Sequence, residues 1–247
     1  MPWLLGGCGC LTLIIIAIVV VTMATYRAKQ KVSEFKTDFK SALKSIDEKE
    51  TAPTTPTTSG DNETRSPKAG WKTYTNVKSS LPESLQANFV AFSFDYPKSF
   101  EVQPQSNINF VKVEKYTGAG KGNTAENFAV GYAWFNPPDR QSDALYDTLL
   151  DDLGKQLGGS FHNYRELKRM PETVAGIKSR AALFQADFND PGKTQIWGKT
   201  IVVHPSGKKN GVTILLLGTS LGRDVKSADD LGVKGESADI LRSFRFE

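Results

Sequence analysis

Apolar residues fall along the chain in three regimes. From Trp3 to Ala24 run 22 residues without a charge, built on Leu11, Leu13, Ile14, Ile15, Ile16, Ile18, Val19, Val20 and Val21. At 1.5 Å per residue, about 20 helical residues cross a hydrocarbon core of roughly 30 Å, so residues 1–26 predict a single transmembrane helix. A cleavable leader opens on basic residues and ends at a small-residue cleavage site. No basic residue precedes this run, and it reads as an uncleaved anchor. Leu5-Gly6-Gly7-Cys8 is locally like a bacterial lipobox, but a lipobox cysteine follows its apolar run and Cys8 precedes this one.

The second regime, 27–50, spaces Ala28, Val32, Phe35, Phe39, Ala42 and Ile46 by alternating steps of four and three. Such spacing predicts an amphipathic helix continuing out of the membrane. Its seam spans barely three heptads, so self-association through residues 28–46 would be weak. The same face can rest on lipid headgroups instead, or offer Val32, Phe35, Phe39 and Ile46 to a partner. Residues 51–70 then hold six Thr and three Pro with almost no large apolar side chain, and read as a flexible linker. Fully extended, it would reach roughly 60 Å.

The third regime, 71–247, carries short alternating runs divided by turn residues, the pattern of a globular domain. Phe92 to Tyr96 alternates and stops at Pro97, and Phe100 to Val102 resumes. Phe110 to Tyr116 and Phe128 to Phe135 predict a hairpin joined by the glycine-rich loop Gly118 to Asn123. Ser142 reads as the N-cap of a helix in which Leu145, Leu149, Leu153 and Leu157 repeat every four residues, ended by Gly158-Gly159. Strands follow at Ala181 to Phe188, Gln195 to His204 and Val212 to Leu217, and a short helix at Ser237 to Ser243. One main helix between groups of strands predicts an α+β fold, a central antiparallel sheet flanked by helices.

Charge narrows the partners. After the first 70 residues the remaining 177 hold 22 basic and 20 acidic side chains. That near balance argues against nucleic acid, whose binding draws on clustered Lys and Arg. Arg27, Lys29, Lys31, Lys36 and Lys40 follow the apolar span, which would place that flank in the cytoplasm. The Thr/Pro tract resembles an extracytoplasmic stalk, and long domains translocate despite such charges, so the side stays open with a slight lean outward. The only cysteines, Cys8 and Cys10, lie in the anchor, so residues 71–247 can form no internal disulfide or thiolate metal site.

Motifs for chemistry are sparse. Gly218-Thr219-Ser220-Leu221-Gly222 matches a nucleophile elbow, but His162 and His204 both precede Ser220, whereas that triad needs a histidine after its serine. A serine hydrolase acting through Ser220 is thus the third reading. His204 with Asp187 or Asp190 has the residue types of a general base. Gly118 to Thr124 lacks phosphate-loop spacing, and the side chains of Asp151-Asp152 and Asp229-Asp230 diverge. Arg165, Lys168 and Arg169, like Lys208 and Lys209, form short basic clusters on which an acidic partner could dock. No catalytic, cofactor or metal residues are assigned, and the chain is expected not to be an enzyme.

Phe92-Ser93-Phe94-Asp95-Tyr96-Pro97-Lys98-Ser99-Phe100-Glu101-Val102, the Val174-Ala175-Gly176 turn, Trp197 and Ile240-Leu241-Arg242-Ser243-Phe244 together resemble the PsbP-like superfamily over about residues 90–247. The resemblance implies an α/β/α sandwich and a non-enzymatic accessory or assembly subunit of a membrane complex, a photosynthetic one among the options. It transfers no metal or chloride site. The expected protein is thus a single-pass membrane protein that docks this domain beside a membrane protein complex. The alternative is a small-ligand-binding module whose cleft is lined by Trp134, Phe135 and Trp197.

Overall fold

A computed structural model describes residues 67–103, 109–118, 123–135, 142–188 and 194–247. The anchor expected over 1–26, the helix over 27–50 and the linker up to residue 66 lie outside the described residues. Among the described residues no helix is long and apolar enough to cross a membrane.

The expected hairpin forms from β4 (Asn109–Tyr116) and β5 (Thr124–Trp134), paired antiparallel. After β5, the long helix α2 (Asp143–Gly158; α1 is the short Glu83–Gln86) carries the chain across the sheet to its far edge. The Oγ of Ser142 accepts the Leu145 amide at 3.3 Å, as an N-cap should. The chain then returns as a meander of β6 (His162–Val174), β7 (Ile177–Asp187), β8 (Gln195–Val203) and β9 (Asn210–Thr219), and β9 closes against β5. With β3 (Glu101–Val102) this gives a seven-stranded antiparallel sheet of order β3-β4-β5-β9-β8-β7-β6.

One face of that sheet is covered by α2. The other is covered by α3 (Glu236–Ser243) and a three-stranded sheet of β1 (Trp71–Thr75), β2 (Phe92–Pro97) and β10 (Arg245–Phe246). The domain is therefore sheet-rich with few helices, and helical cover on both faces holds only in part. Phe92 to Tyr96 does not join the large sheet. Its alternation buries Phe92, Phe94 and Tyr96 on the main core, which selects a strand without selecting its neighbours. Phe94 meets Phe128 of β5 at a ring-centroid distance of 5.1 Å and so joins the two sheets.

Strand β6 has no counterpart among the expected strands. It is an edge strand bearing Arg165, Glu166, Lys168, Arg169 and Glu172, so period-two apolarity is absent, and its edge position tolerates Pro171. Its two-residue turn into β7 places Ala175 and Gly176 at φ of 51° and 76°, the paired positive values of a type I′ hairpin.

The apolar face of α2 also differs from the expected leucine row. An i, i+4 row drifts by about 40° per step on a 3.6-residue helix. The buried side chains are Tyr146, Leu150 and Leu157, while Leu149 and Leu153 are half-buried along one flank. Ion pairs hold the helix to the meander. Arg180 Nε donates to Asp147 at 2.7 Å, and Arg169 donates to the Asp147 carbonyl oxygen at 2.9 Å and to Glu166 at 2.7 Å.

The Arg180 hydrogen bond, aided by Arg169, holds the Asp147 carboxyl below its ordinary range. A carboxylate so shifted adds stability above its unfolded pKa of about 4 and loses it as pH falls through the folded value. Asp147→Asn is therefore expected to lower the urea midpoint at pH 7 and to lose that deficit progressively below about pH 4. Urea titrations at pH 7 and pH 3 check this; a deficit of equal size at both would contradict it.

Candidate functional site

A cleft of about 360 Å³ lies between α2 and the sheet. Its helical wall is Leu149 and Leu153, the flank that the drift of the leucine row leaves half-buried, with Leu157 beneath them. The sheet wall comes from Ala133 of β5 and Leu215 of β9, and Thr200 of β8 and Thr213 of β9 add hydroxyls. Trp134, 47% exposed, borders the cleft at the end of β5, where alternation turns its ring to the face opposite Ala133, and Lys209 Nζ lies 5.4 Å from its ring centroid. On the helix rim, Asp152 pairs with Lys155 at 3.0 Å, both exposed. The cleft exists because α2 lies over β6, β7 and β8 and leaves the strip toward β5 less covered.

Of the three aromatics expected to line a cleft, only Trp134 borders it. Phe135 is buried and stacks on the His204 ring at 3.7 Å, and Trp197 lies in the main core on the opposite face of the sheet. Alternation accounts for Trp197, whereas Phe135 shares the face of Ala133 and packs on Tyr146 of α2 with ring centroids 6.0 Å apart. Leu149, Leu153 and Leu215, which complete the site, carried no signal beyond ordinary core periodicity.

The residues singled out for chemistry are spread over the sheet. Ser220 follows β9, and its Oγ accepts the Gln195 amide at 3.2 Å. A turn and a short 3₁₀ segment follow it, rather than the helix of a nucleophile elbow. His204 lies past the opposite end of β8 from Gln195, roughly 30 Å away at strand rise. Asp187 pairs with Gln195 and is equally remote from His204, while Asp190 lies outside the described residues. His162 does share the row of Asp187, Gln195 and Ser220, but three strand spacings separate it from the serine, about 14 Å.

The other clusters are likewise divided. Asp151 meets Arg169 while Asp152 meets Lys155. Asp229 meets Lys168 at 2.7 Å, and Asp230 accepts the Lys234 ammonium and, to a lesser degree, the Lys226 amide, which brings its carboxyl down to about 2. Arg169 turns toward α2 and Lys168 away from it, so Arg165, Lys168 and Arg169 form no common basic face. Among the described residues no group of three His, Cys, Asp or Glu side chains converges as a metal site would.

A buried carboxylate that the sequence did not mark is Glu126 of β5. It accepts the Ser237 amide at 3.0 Å and the Ser237 hydroxyl at 2.7 Å, capping α3 from the sheet, with Lys115 Nζ at 3.7 Å.

No family model and no curated protein matches the chain. The solution structure of cyanobacterial PsbP from Synechocystis sp. PCC 6803 aligns with a TM-score of 0.46 at 11% identity, over 76% of this chain and 98% of that one. A crystal structure of a protein of unknown function from Pseudomonas aeruginosa aligns with a TM-score of 0.31 at 12% identity, over 52% of this chain and 77% of that one. These are distant likenesses, and the architecture above rests on its own register and packing.

Proposed function

We propose that the chain is a single-pass membrane protein whose domain, residues 71–247, acts as a non-enzymatic accessory or assembly subunit docked on a membrane protein complex. The observation that carries this reading is the uncharged apolar run of 22 residues, Trp3 to Ala24, joined through a Thr/Pro-rich tract to a folded domain. A tether of this kind confines the domain to a shell of roughly 60 Å above the bilayer. Within such a shell the effective concentration of a partner in the same membrane reaches the millimolar range, so a weak contact suffices for docking. The arrangement of polar side chains fits the same reading. Ser220, Asp187 and Glu126 are hydrogen-bonded within the fold, and His204 is buried in a ring stack.

Purification of the full chain from membranes in mild detergent tests the proposal. A membrane protein complex is expected to co-purify in fixed ratio, and replacing residues 51–70 by a linker too short to reach should reduce its recovery. A chain that runs alone in every mild detergent, or only with copies of itself through residues 28–46, would contradict it.

A further inference from the structure

We propose that the corner at which the folded domain begins, built from Lys68, Trp71, Lys72 and Lys98, docks on an anionic bilayer surface. The inference deepens the reading of a tethered domain and rests on it. Trp71 opens β1, and its amide donates to the Lys68 carbonyl oxygen at 2.9 Å, closing a turn in which Gly70 has a φ of 82°. The Lys98 amide donates to the Gly70 carbonyl oxygen at 2.9 Å, and Lys72 sits opposite Tyr96 in the register of β1 on β2. The backbone thus brings the three lysines to one corner, with Cα positions within about 10 Å of one another. Lys68 Nζ lies 5.6 Å from the centroid of the half-buried Trp71 ring.

Charge and position select the partner. All three lysines are exposed, and among the described residues none of them forms an ion pair. The carboxylate of β2, Asp95, is taken by the Thr73 hydroxyl at 2.7 Å and faces Arg245 at 3.9 Å, and Glu101 belongs to β3 of the other sheet. An anionic surface supplies what these side chains lack, each lysine near it adding a factor of about five to binding. Tryptophan suits the same partner, because headgroup level accommodates both its apolar ring and its polar N–H. The chain runs from Pro67 back toward the apolar run of residues 3–24, so this corner reaches a bilayer without the tether passing along the domain.

The opposite end of the domain provides the comparison. β2 runs from Phe92, whose ring meets Phe110 beside Tyr132, to Phe94 on Phe128 and then to Pro97 opposite Trp71. Trp134 lies six residues from Phe128 along β5 in the other direction, roughly 20 Å at strand rise. It too carries a lysine, Lys209, over its ring, so composition does not separate the two ends. The point at which the chain joins the domain does.

The four tryptophans make the test, since Trp3 lies in the expected anchor, Trp71 in the corner, Trp134 at the far end and Trp197 in the core. The full chain, labelled with 5-fluorotryptophan, is placed in excess nanodiscs of phosphatidylcholine with or without phosphatidylglycerol, each doped with a lipid bearing a gadolinium chelate on its headgroup. The Trp71 fluorine resonance is expected to broaden at least about threefold more in the anionic discs than in the neutral ones, while Trp134 and Trp197 respond alike to both. Trp3 should broaden in either disc. A Trp3 that stays sharp contradicts the anchor, and Trp71 in the anionic discs still decides the corner. Lys68→Gln, Lys72→Gln and Lys98→Gln together should remove most of the Trp71 broadening and leave Trp3 and the thermal transition unchanged. If that variant does not fold, raising salt from about 0.1 to 1 M, which shortens the screening length from about 10 to 3 Å, should do the same to the parent. The proposal is overturned if Trp71 stays sharp in anionic discs, as when the corner meets an acidic protein instead. It is equally overturned if Trp71 broadens alike in neutral discs, if Trp134 broadens in its place, or if neither the lysine variant nor salt changes the broadening.

Discussion

Removal of the last ten residues, 238–247, is expected to abolish the cooperative thermal transition of the domain. This segment supplies most of α3 and all of β10, and it closes the core that both sheets share. Ile240 is fully buried and Phe244 is 3% exposed. The Phe244 ring stacks on Phe92 at 5.2 Å and meets Phe246 at 5.3 Å, so its loss opens a void at the centre of the aromatic cluster. Truncating a buried phenylalanine costs about 3 to 5 kcal/mol, and a buried isoleucine about 2 to 5. The deletion also removes the Ser243 Oγ that accepts the Asp95 amide at 2.8 Å and the pairing of Arg245 and Phe246 with β2. Together these losses match the whole stability of a typical domain, about 5 to 15 kcal/mol. Phe244→Ala alone should leave a transition at lower temperature. Calorimetry of the two variants checks the pair, and a cooperative transition in the truncation would show that α3 is not part of the core.

Among the described glycines, Gly198→Ala should be the most damaging single methyl, costing about 3 kcal/mol. Gly198 lies in β8 opposite Phe184 of β7, and the buried Phe184 ring lies across it. A Cβ placed there would stand 1.9 Å from Phe184 Cζ, well inside contact distance. The ring has no easy retreat, since Tyr164 lies 5.1 Å away and Leu157, Ile196 and Leu217 fill the rest of that cluster. Glycine weakens a strand by about 0.5 to 1 kcal/mol relative to alanine, a propensity gain too small to offset the overlap. The clash makes a second, sharper prediction: Phe184→Leu should cost less in the Gly198→Ala background than in the parent. Urea unfolding of the four proteins gives the coupling, and strict additivity would contradict the contact.

Both predictions rest on contacts that are unevenly legible in a sequence. Periodicity located β4, β5, α2, the last three strands of the meander and the terminal helix, because their buried faces repeat with a period their backbone imposes. It did not locate β6, whose charged residues satisfy an edge rather than a core. Nor did it assign Phe92 to Tyr96 to the smaller sheet, since alternation fixes which side chains turn inward and not which strand lies alongside. At the candidate site, Trp134 was legible as an aromatic next to a strand end. Leu149 and Leu153 read as core because a row of leucines four apart does not state how far it drifts around the helix. The Glu126 cap on Ser237 joins residues 111 positions apart and has no local signature.

The account as a whole depends on the domain being held at a bilayer by the chain's own N-terminal run. Membranes from cells expressing the full chain, washed in alkaline carbonate and sedimented, test that most directly beside a variant carrying Ile15→Lys and Ile16→Lys. Each lysine at the centre of a span costs about 3 kcal/mol of insertion, enough to expel a marginal helix. The account predicts that the parent stays with the pelleted lipid at its full length while the variant moves to the supernatant. A parent that washes free, or that sediments only after losing residues 1–26, would contradict it.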